Sequence, residues 1–263
     1  MKIKDVILEI ESLSFKEALE YIIENSQKEG KKTFVVTINP EIIMLAMNDE
    51  SYEKVLKSAD LALADGVGVV WAGKMFGKSF KGRVHGSDLV EKLSQTIAKQ
   101  PITVGFLGGR RNVATDVAKR LQKKYSGLKV AFAGSEYSDV TQEIRKISKS
   151  DRQIVRNSEN PNLRQSDSPS FLSFPKTDIL FVAFGSPKQE RWIYENLANI
   201  DVRVAIGVGG AFDFILGRVR RAPVWVRSLG LEWLFRLIIQ PWRIKRQAEL
   251  IKFVFLVLKE KLS

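Results

Sequence analysis

Six short clusters in this 263-residue chain hold side chains and turns that can do chemistry. The densest is Gly185-Ser186-Pro187-Lys188-Gln189-Glu190. It follows the apolar run Ile179–Phe184 and precedes a helical pattern from Glu190 to Leu197. Glycine permits close backbone approach, serine and proline open helices, and a new helix presents unpaired N–H groups. This suits an anion such as a nucleotide diphosphate, with Lys188, Gln189 and Glu190 beside it. Gly105-Phe-Leu-Gly-Gly109 and Gly207-Val-Gly209-Gly210-Ala-Phe-Asp213 read as further phosphate cradles. Neither completes the G-x-G-x-x-G pattern. Where an acidic ribose ligand would stand, at the end of the next strand, the chain has Ala133-Gly134, which disfavours a nicotinamide cofactor. A Walker lysine motif is also missing.

The other three clusters carry polar and ionisable groups. In Thr37-Ile38-Asn39-Pro40, proline ends a strand and begins a helix, and Thr37 and Asn39 share one parity of the extended chain. Both can face one pocket; the plainer reading is a capping Asn39 and a core-facing Thr37. Asp65 closes the apolar run Ala62-Leu63-Ala64 and precedes Gly66. It is either a turn residue or a general base presented in a cleft. In Arg83-Val84-His85-Gly86-Ser87-Asp88, Arg83 suits bidentate contact with phosphate or carboxylate. Asp88 stands where it can cap a helix, and His85 is either an acid–base group or a structural histidine.

Apolar runs at Thr33–Thr37, Ile102–Leu107, Leu128–Ala133, Ile179–Phe184 and Val202–Val208 read as strands. Helical patterns at Ser14–Lys28, Glu41–Met47, Ser87–Lys99, Asn112–Lys124, Thr141–Ser148 and Gln189–Asn199 lie among them. This alternation predicts an α/β fold, a Rossmann-like, mostly parallel sheet with helices on both faces. Such sheets bind ligands at the carboxyl ends of their strands, where these clusters fall. Residues 1–213 are expected to form the core and 214–263 a C-terminal helical basic appendage. A polar stretch at about 148–173 is expected to be an insertion.

Composition narrows the classes. Without cysteine there is no disulfide or thiolate metal site. A single histidine excludes a multi-histidine zinc site and disfavours a Ser-His-Asp triad. No run reaches 18 apolar residues and the N-terminus lacks a secretory core, which predicts a cytoplasmic chain without a membrane span. The net charge is +12, and residues 214–263 hold eleven basic against three acidic residues, leaving +4 for the rest. These charges alternate with Trp, Leu and Phe, a pattern suited either to a helix lying on an anionic membrane surface or to a core-packing helix pair with a solvated basic face. A nucleic-acid partner is disfavoured, because the basic residues are interleaved with large apolar ones instead of forming a polar stripe.

Taken together, Thr37-x-Asn39-Pro40, Ala64-Asp65-Gly66, Arg83-x-x-Gly86-x-Asp88, Gly105-Phe-x-Gly-Gly109, the 185–190 run and Gly207-Val-Gly-Gly-Ala-Phe-Asp213 resemble the WecG/TagA/CpsF family of bacterial glycosyltransferases. They stand in the family order over residues 33 to 213, and the basic aromatic tail resembles the family's appendage. The resemblance implies an inverting transferase that needs no metal or cofactor. Its donor would be a UDP-sugar of the N-acetylmannosamine type, or, in a second branch, the corresponding uronic acid. Its acceptor would be polyprenyl-diphosphate-linked N-acetylglucosamine at the inner membrane face. The resemblance gives Asp65 the role of base, places Thr37, Asn39 and Gln189 around the sugars, and sets Arg83 against the leaving diphosphate. Gly109, Gly185, Ser186, Pro187, Glu190, Gly207, Gly209, Gly210 and Asp213 would line the nucleotide site, while Arg218, Arg221 and Arg227 would reach the acceptor diphosphate. It also implies self-association into a homo-oligomer.

Overall fold

A computed structural model describes residues 2–134, 175–241 and 244–262. The expected helix Thr141–Ser148 and the polar stretch 148–173 lie outside these residues.

Six strands form one sheet: β1 (Thr33–Ile38), β2 (Leu61–Ala64), β3 (Thr103–Gly108), β4 (Lys129–Gly134), β5 (Thr177–Ala183) and β6 (Val202–Gly207). Their order is β2-β1-β6-β5-β3-β4, and every pairing is parallel. Five strands match the apolar runs. The sixth, Leu61–Ala64, is the short run before Asp65, whose four residues pair with Val35–Ile38 of β1.

The sheet is covered on both faces, so β1 and β5 are buried along their whole length. Alternation then sorts side chains by face. Val35, Val104, Phe106, Phe181 and Val204 pack under α2 (Phe15–Gln27), α6 (Gly86–Ile97), α7 (Val113–Lys124) and the short α9 (Ala211–Ile215). Phe34, Val36, Leu180 and Val182 pack on the opposite side. There they meet α1 (Ile3–Glu9), α3 (Pro40–Met47), α4 (Glu50–Lys57), α5 (Val67–Met75) and α8 (Lys188–Asn196). A reciprocal capping box at Ser14 and Glu17 fixes the start of α2, a device worth about 1 kcal/mol.

The chain ends with α10 (Val224–Ser228), α11 (Glu232–Ile239) and α12 (Ile244–Leu262). The last of these belongs to the core: it packs on α1, α3 and α5, and Phe253 and Val257 are fully buried. Glu260 accepts hydrogen bonds from the backbone N–H groups of Ile3 (2.9 Å) and Lys4 (3.0 Å), capping α1 from the far end of the chain.

The two edges of the sheet differ. At the amino ends, carboxylates satisfy the strands themselves. Asp60 accepts from Phe34 N (2.7 Å), and Asp178 accepts from Thr103 N (2.7 Å) while pairing with Arg203 (2.8 Å). At the carboxyl ends, β1 leads outward to β2 on one flank and β3 leads outward to β4 on the other. This is the crevice where such sheets place ligands.

Candidate active site

Asp65 follows β2 directly, and its N–H donates to Ile38 O at the end of β1 (2.8 Å). The loop before α6 runs beside the same strand, because Val84 N donates to Ala64 O (2.8 Å) and the Val84 side chain is buried. That single backbone bond brings His85 to Asp65 across twenty positions of sequence. His85 Nδ1 lies 2.6 Å from Asp65 Oδ1, and its Nε2 lies 4.0 Å from Glu232 Oε2 on α11. The three side chains remain between 21% and 25% exposed, so solvent or a ligand reaches them. Burial pulls the His85 pKa down. The hydrogen bond to Asp65 and the charges of Asp65, Glu232 and Asp88 push the other way and prevail, so the net shift is upward.

Asp88 lies in the first turn of α6, whose N-cap is His85, and it pairs with Arg221 instead of capping the helix. The pair is bidentate: Arg221 Nη1 meets Oδ1, and Nη2 meets Oδ2 at 2.6 Å. Burial alone would raise the Asp88 pKa; the Arg221 contacts outweigh it and hold the carboxyl below its ordinary value. Arg221 Nε also lies 3.8 Å from Glu232 Oε1. Arg83 donates to Arg227 O (3.3 Å), and Arg227 Nε donates to Ala222 O (3.1 Å). Arg83 and Arg227 are therefore joined, and Arg221 lies beside Asp88 and Glu232, whereas Arg218 is half exposed and pairs with Asp116 on α7 (3.3 Å).

The segment joining α9 to α11 closes over this edge. A Cβ at Gly230 (φ +75°) would lie 2.6 Å from Val67, two residues past Asp65, so Gly230 permits the approach. On the β6 side, the Arg236 guanidinium stacks 4.8 Å from the Phe214 ring and passes near Gly210. Glu232 and Arg236 belong to the site, and neither was expected from sequence. Their signal was weak: one acid and one of many arginines in an apolar tail.

The glycine turns after β5 and β6 form one unit. Gln189, buried, accepts through its side-chain oxygen from the N–H of Gly185 (3.2 Å) and of Gly209 (2.9 Å). Its Nε2 donates to Glu190 Oε1 (2.7 Å), which also accepts from Ser186 Oγ (2.8 Å). Gln189 and Glu190 thus sit beneath the turns, while Lys188 stays exposed. Gly207 has no room for a side chain, since a Cβ there would lie 2.9 Å from Gln189 Nε2. Gly185 and Gly209 have positive φ and open space beside them. Glu190 is fully buried, and burial, partly opposed by these hydrogen bonds, raises its pKa. Its Oε2 and the buried Tyr52 hydroxyl both lack a hydrogen bond of normal geometry. Pro187 is the N-cap of α8, and Asp213 lies in α9 with its carbonyl accepting from Arg218 N (2.9 Å).

Thr37 is nearly buried, and its hydroxyl makes a long contact with Gly207 O (3.4 Å). Asn39 caps α3, its side-chain oxygen accepting from Ile42 N (3.0 Å). Its carboxamide therefore holds the start of α3, next to the Asp65 N–H that donates to Ile38 O. Gly109 (φ +78°) follows β3, where a Cβ would lie 2.6 Å from Val113. Among the described residues, no group of three or more His, Asp or Glu is placed to hold a metal ion, and no helix is long and apolar enough to cross a membrane.

The chain is 34% identical over 227 residues (86% of this chain, 79% of the relative) to the N-acetylglucosaminyldiphosphoundecaprenol N-acetyl-beta-D-mannosaminyltransferase of Bacillus subtilis strain 168. It is 33% identical over 233 residues (89% and 81%) to the protein of that name from Bacillus spizizenii. The Staphylococcus aureus MRSA252 protein of that name is 28% identical over 228 residues (87% and 80%). The profile of the Glycosyl transferase WecG/TagA/CpsF family matches residues 3–157 and 170–263, from the first helix to the last, and the chain belongs to that family.

Proposed function

We propose that the protein transfers N-acetylmannosamine from its UDP derivative to N-acetylglucosaminyl-diphospho-undecaprenol, a step in teichoic acid synthesis. The relatives' names support the sugar and the lipid acceptor. The observation that carries the reaction is the convergence at one sheet edge of Asp65, the paired glycine turns after β5 and β6, and Arg83, Arg221 and Arg227.

Asp65 accepts the proton of the acceptor hydroxyl as that oxygen attacks the anomeric carbon. The bond from that carbon to the UDP oxygen breaks on the opposite face, and its electron pair leaves with the diphosphate. One displacement inverts the centre, and an α-linked nucleotide sugar then gives the β product that the relatives' names carry. Arginines offset the charge on the departing diphosphate, with fixed donors that need no reorganisation. Arg83 has five N–H donors and uses one on Arg227 O. The open space beside Gly185 and Gly209 lets the nucleotide lie close against these turns. Gln189 acts by holding these turns together, and Thr37 and Asn39 by shaping the sugar pocket between β1 and β6.

The C-terminal segment docks on an anionic membrane from the cytoplasmic side. Support comes from exposed apolar side chains gathered there: Trp225, Leu229, Ile238, Ile244, Ile251 and Phe255 are each 65–73% exposed. Elsewhere among the described residues, the large exposed apolar side chains are Leu8 and Tyr194.

The test is to incubate the full-length protein with UDP-N-acetylmannosamine and a short-chain polyprenyl-diphospho-N-acetylglucosamine in vesicles containing a chelator. The expected result is a disaccharide-lipid of the corresponding mass. UDP binding without product from this donor would point to another sugar, with the uronic acid donor tried next.

A further inference from the structure

We propose that His85 is a positioning residue for the transfer: held between the Asp65 carboxylate at 2.6 Å and the Glu232 carboxylate at 4.0 Å, it carries both ring protons and fixes Asp65 with one oxygen engaged and the other left to meet the acceptor hydroxyl. This rests on Asp65 serving as the base.

A carboxylate acting as base must be ionised and must point its lone pair at the proton it takes. An imidazole N–H donating to Oδ1 fixes the plane of the Asp65 carboxyl and leaves Oδ2 to the substrate. A neutral ring whose proton sat on Nε2 would instead turn a lone pair toward Asp65 and repel it. Glu232 disfavours loss of the second proton, because it faces Nε2 from α11. The surroundings on the other elements agree in sign. Asp88, one turn along α6, adds negative charge, and Arg221, on Asp88 and near Glu232, tempers both acids. Arg83 donates to Arg227 O, and among the described residues Asp65 is the carboxylate in hydrogen-bond contact with the imidazole. Burial works against the charge and is overcome.

The sign of the pH dependence follows. A histidine with a raised pKa keeps its second proton below that pKa and loses it as pH rises through it. Turnover therefore falls on the alkaline side with the His85 titration, and the fall moves to lower pH when a flanking carboxylate is removed.

The chain has one histidine, so its imidazole C–H resonances report a single site without assignment. The experiment measures this titration by NMR on the full-length protein, together with the kcat–pH profile, for the unaltered chain, Glu232→Gln and Asp65→Asn. The unaltered histidine is expected to titrate above the ordinary value of about 6.5. Its pKa should fall in both variants. In Glu232→Gln the alkaline limb of kcat should move down by the same amount, while the KM for the UDP-sugar stays within about twofold. His85→Asn should lower kcat by about tenfold or more, toward the lower end of what acid–base assistance supplies, and should remove the limb.

A histidine that titrates at or below about 6.5 would overturn the proposal. So would a pKa unmoved by Glu232→Gln, or a kcat limb that stays in place while the pKa moves. Near-normal turnover in Asp65→Asn would instead sink the base assignment. A lowered His85 pKa in that same variant would still establish the contact.

Discussion

At the scale of single residues, the site separates groups that face the crevice from groups that build it. Asp65→Asn keeps the size of the side chain and removes the base. Turnover should fall by roughly 10²–10⁴-fold while UDP binding, followed by calorimetry, stays unchanged. Glu190 makes an opposite case. Its folded pKa is raised, so the stability tied to its protonated form is complete below the ordinary carboxyl pKa of 4.5 and is lost as pH rises toward the folded value. Glu190→Gln keeps an acceptor for Ser186 and Gln189 and removes the buried charge. Its melting temperature should match or exceed that of the unaltered chain at pH 8, with a weaker decline between pH 5 and 8 in thermal unfolding. Thr37, Asn39, Asp65 and Arg83 were legible in the sequence because each closes a strand or precedes a helix. The inward turn of Gln189 and Glu190 was not legible, since the phase of a helix start depends on where the preceding glycine turn points it. The pairing of Asp65 with His85 was hidden for another reason: it depends on a loop lying beside β2, joined by one backbone bond.

At the scale of elements, the mostly apolar strands of six or seven residues announced themselves. β2 did not, because four residues carry too little alternation to separate a strand from an apolar run. Helices α4 and α5 went unread beside it, as did α1. The glycine-rich start of α5 has low helix propensity and is held by packing, with Gly68 so close to Pro40 that a Cβ would lie 2.6 Å from its ring. In α12 the run Phe253-Val-Phe-Leu-Val-Leu258 is apolar on every side, so periodicity could not say which face was covered. The structure covers Phe253 and Val257 and exposes Ile251 and Phe255. Phe253→Ala should cost about 3–5 kcal/mol in denaturant unfolding, as expected for emptying a buried aromatic site. Ile251→Glu with Phe255→Glu should leave the unfolding midpoint in place and weaken vesicle sedimentation at least tenfold. Deleting the tail is a poorer test than this double substitution, because deletion also strips the face packed on α1, α3 and α5. Equal loss of stability from both kinds of change would remove the division of labour between the two faces.

At the scale of the whole molecule, charge and apolar exposure coincide in the C-terminal segment, with its eight net positive charges. Each basic residue near an anionic leaflet contributes about 1 kcal/mol, and this attraction is screened within a Debye length. Binding to vesicles containing phosphatidylserine or phosphatidylglycerol should therefore weaken between 0.05 and 0.5 M salt, with a salt-resistant remainder from the apolar face. Binding to zwitterionic vesicles as tight as to anionic ones would remove the electrostatic part. The segment also supplies Gly230, Glu232 and Arg236 to the crevice, so the surface proposed to meet lipid and the carboxylate proposed to meet the acceptor are parts of one connected structure. Parallel sheet and helical layers were readable from the alternation of elements. The seating of the tail on the core was not, since it depends on contacts between residues some two hundred positions apart. The clasp of Glu260 on the backbone of Ile3 and Lys4 carries a practical meaning for anyone who fuses this chain to another. A tag joined to the start of α1 emerges beside Glu260 in the last turn of α12. An N-terminal fusion should crowd a lipid bilayer as much as a C-terminal one, and a long hydrophilic spacer should relieve either.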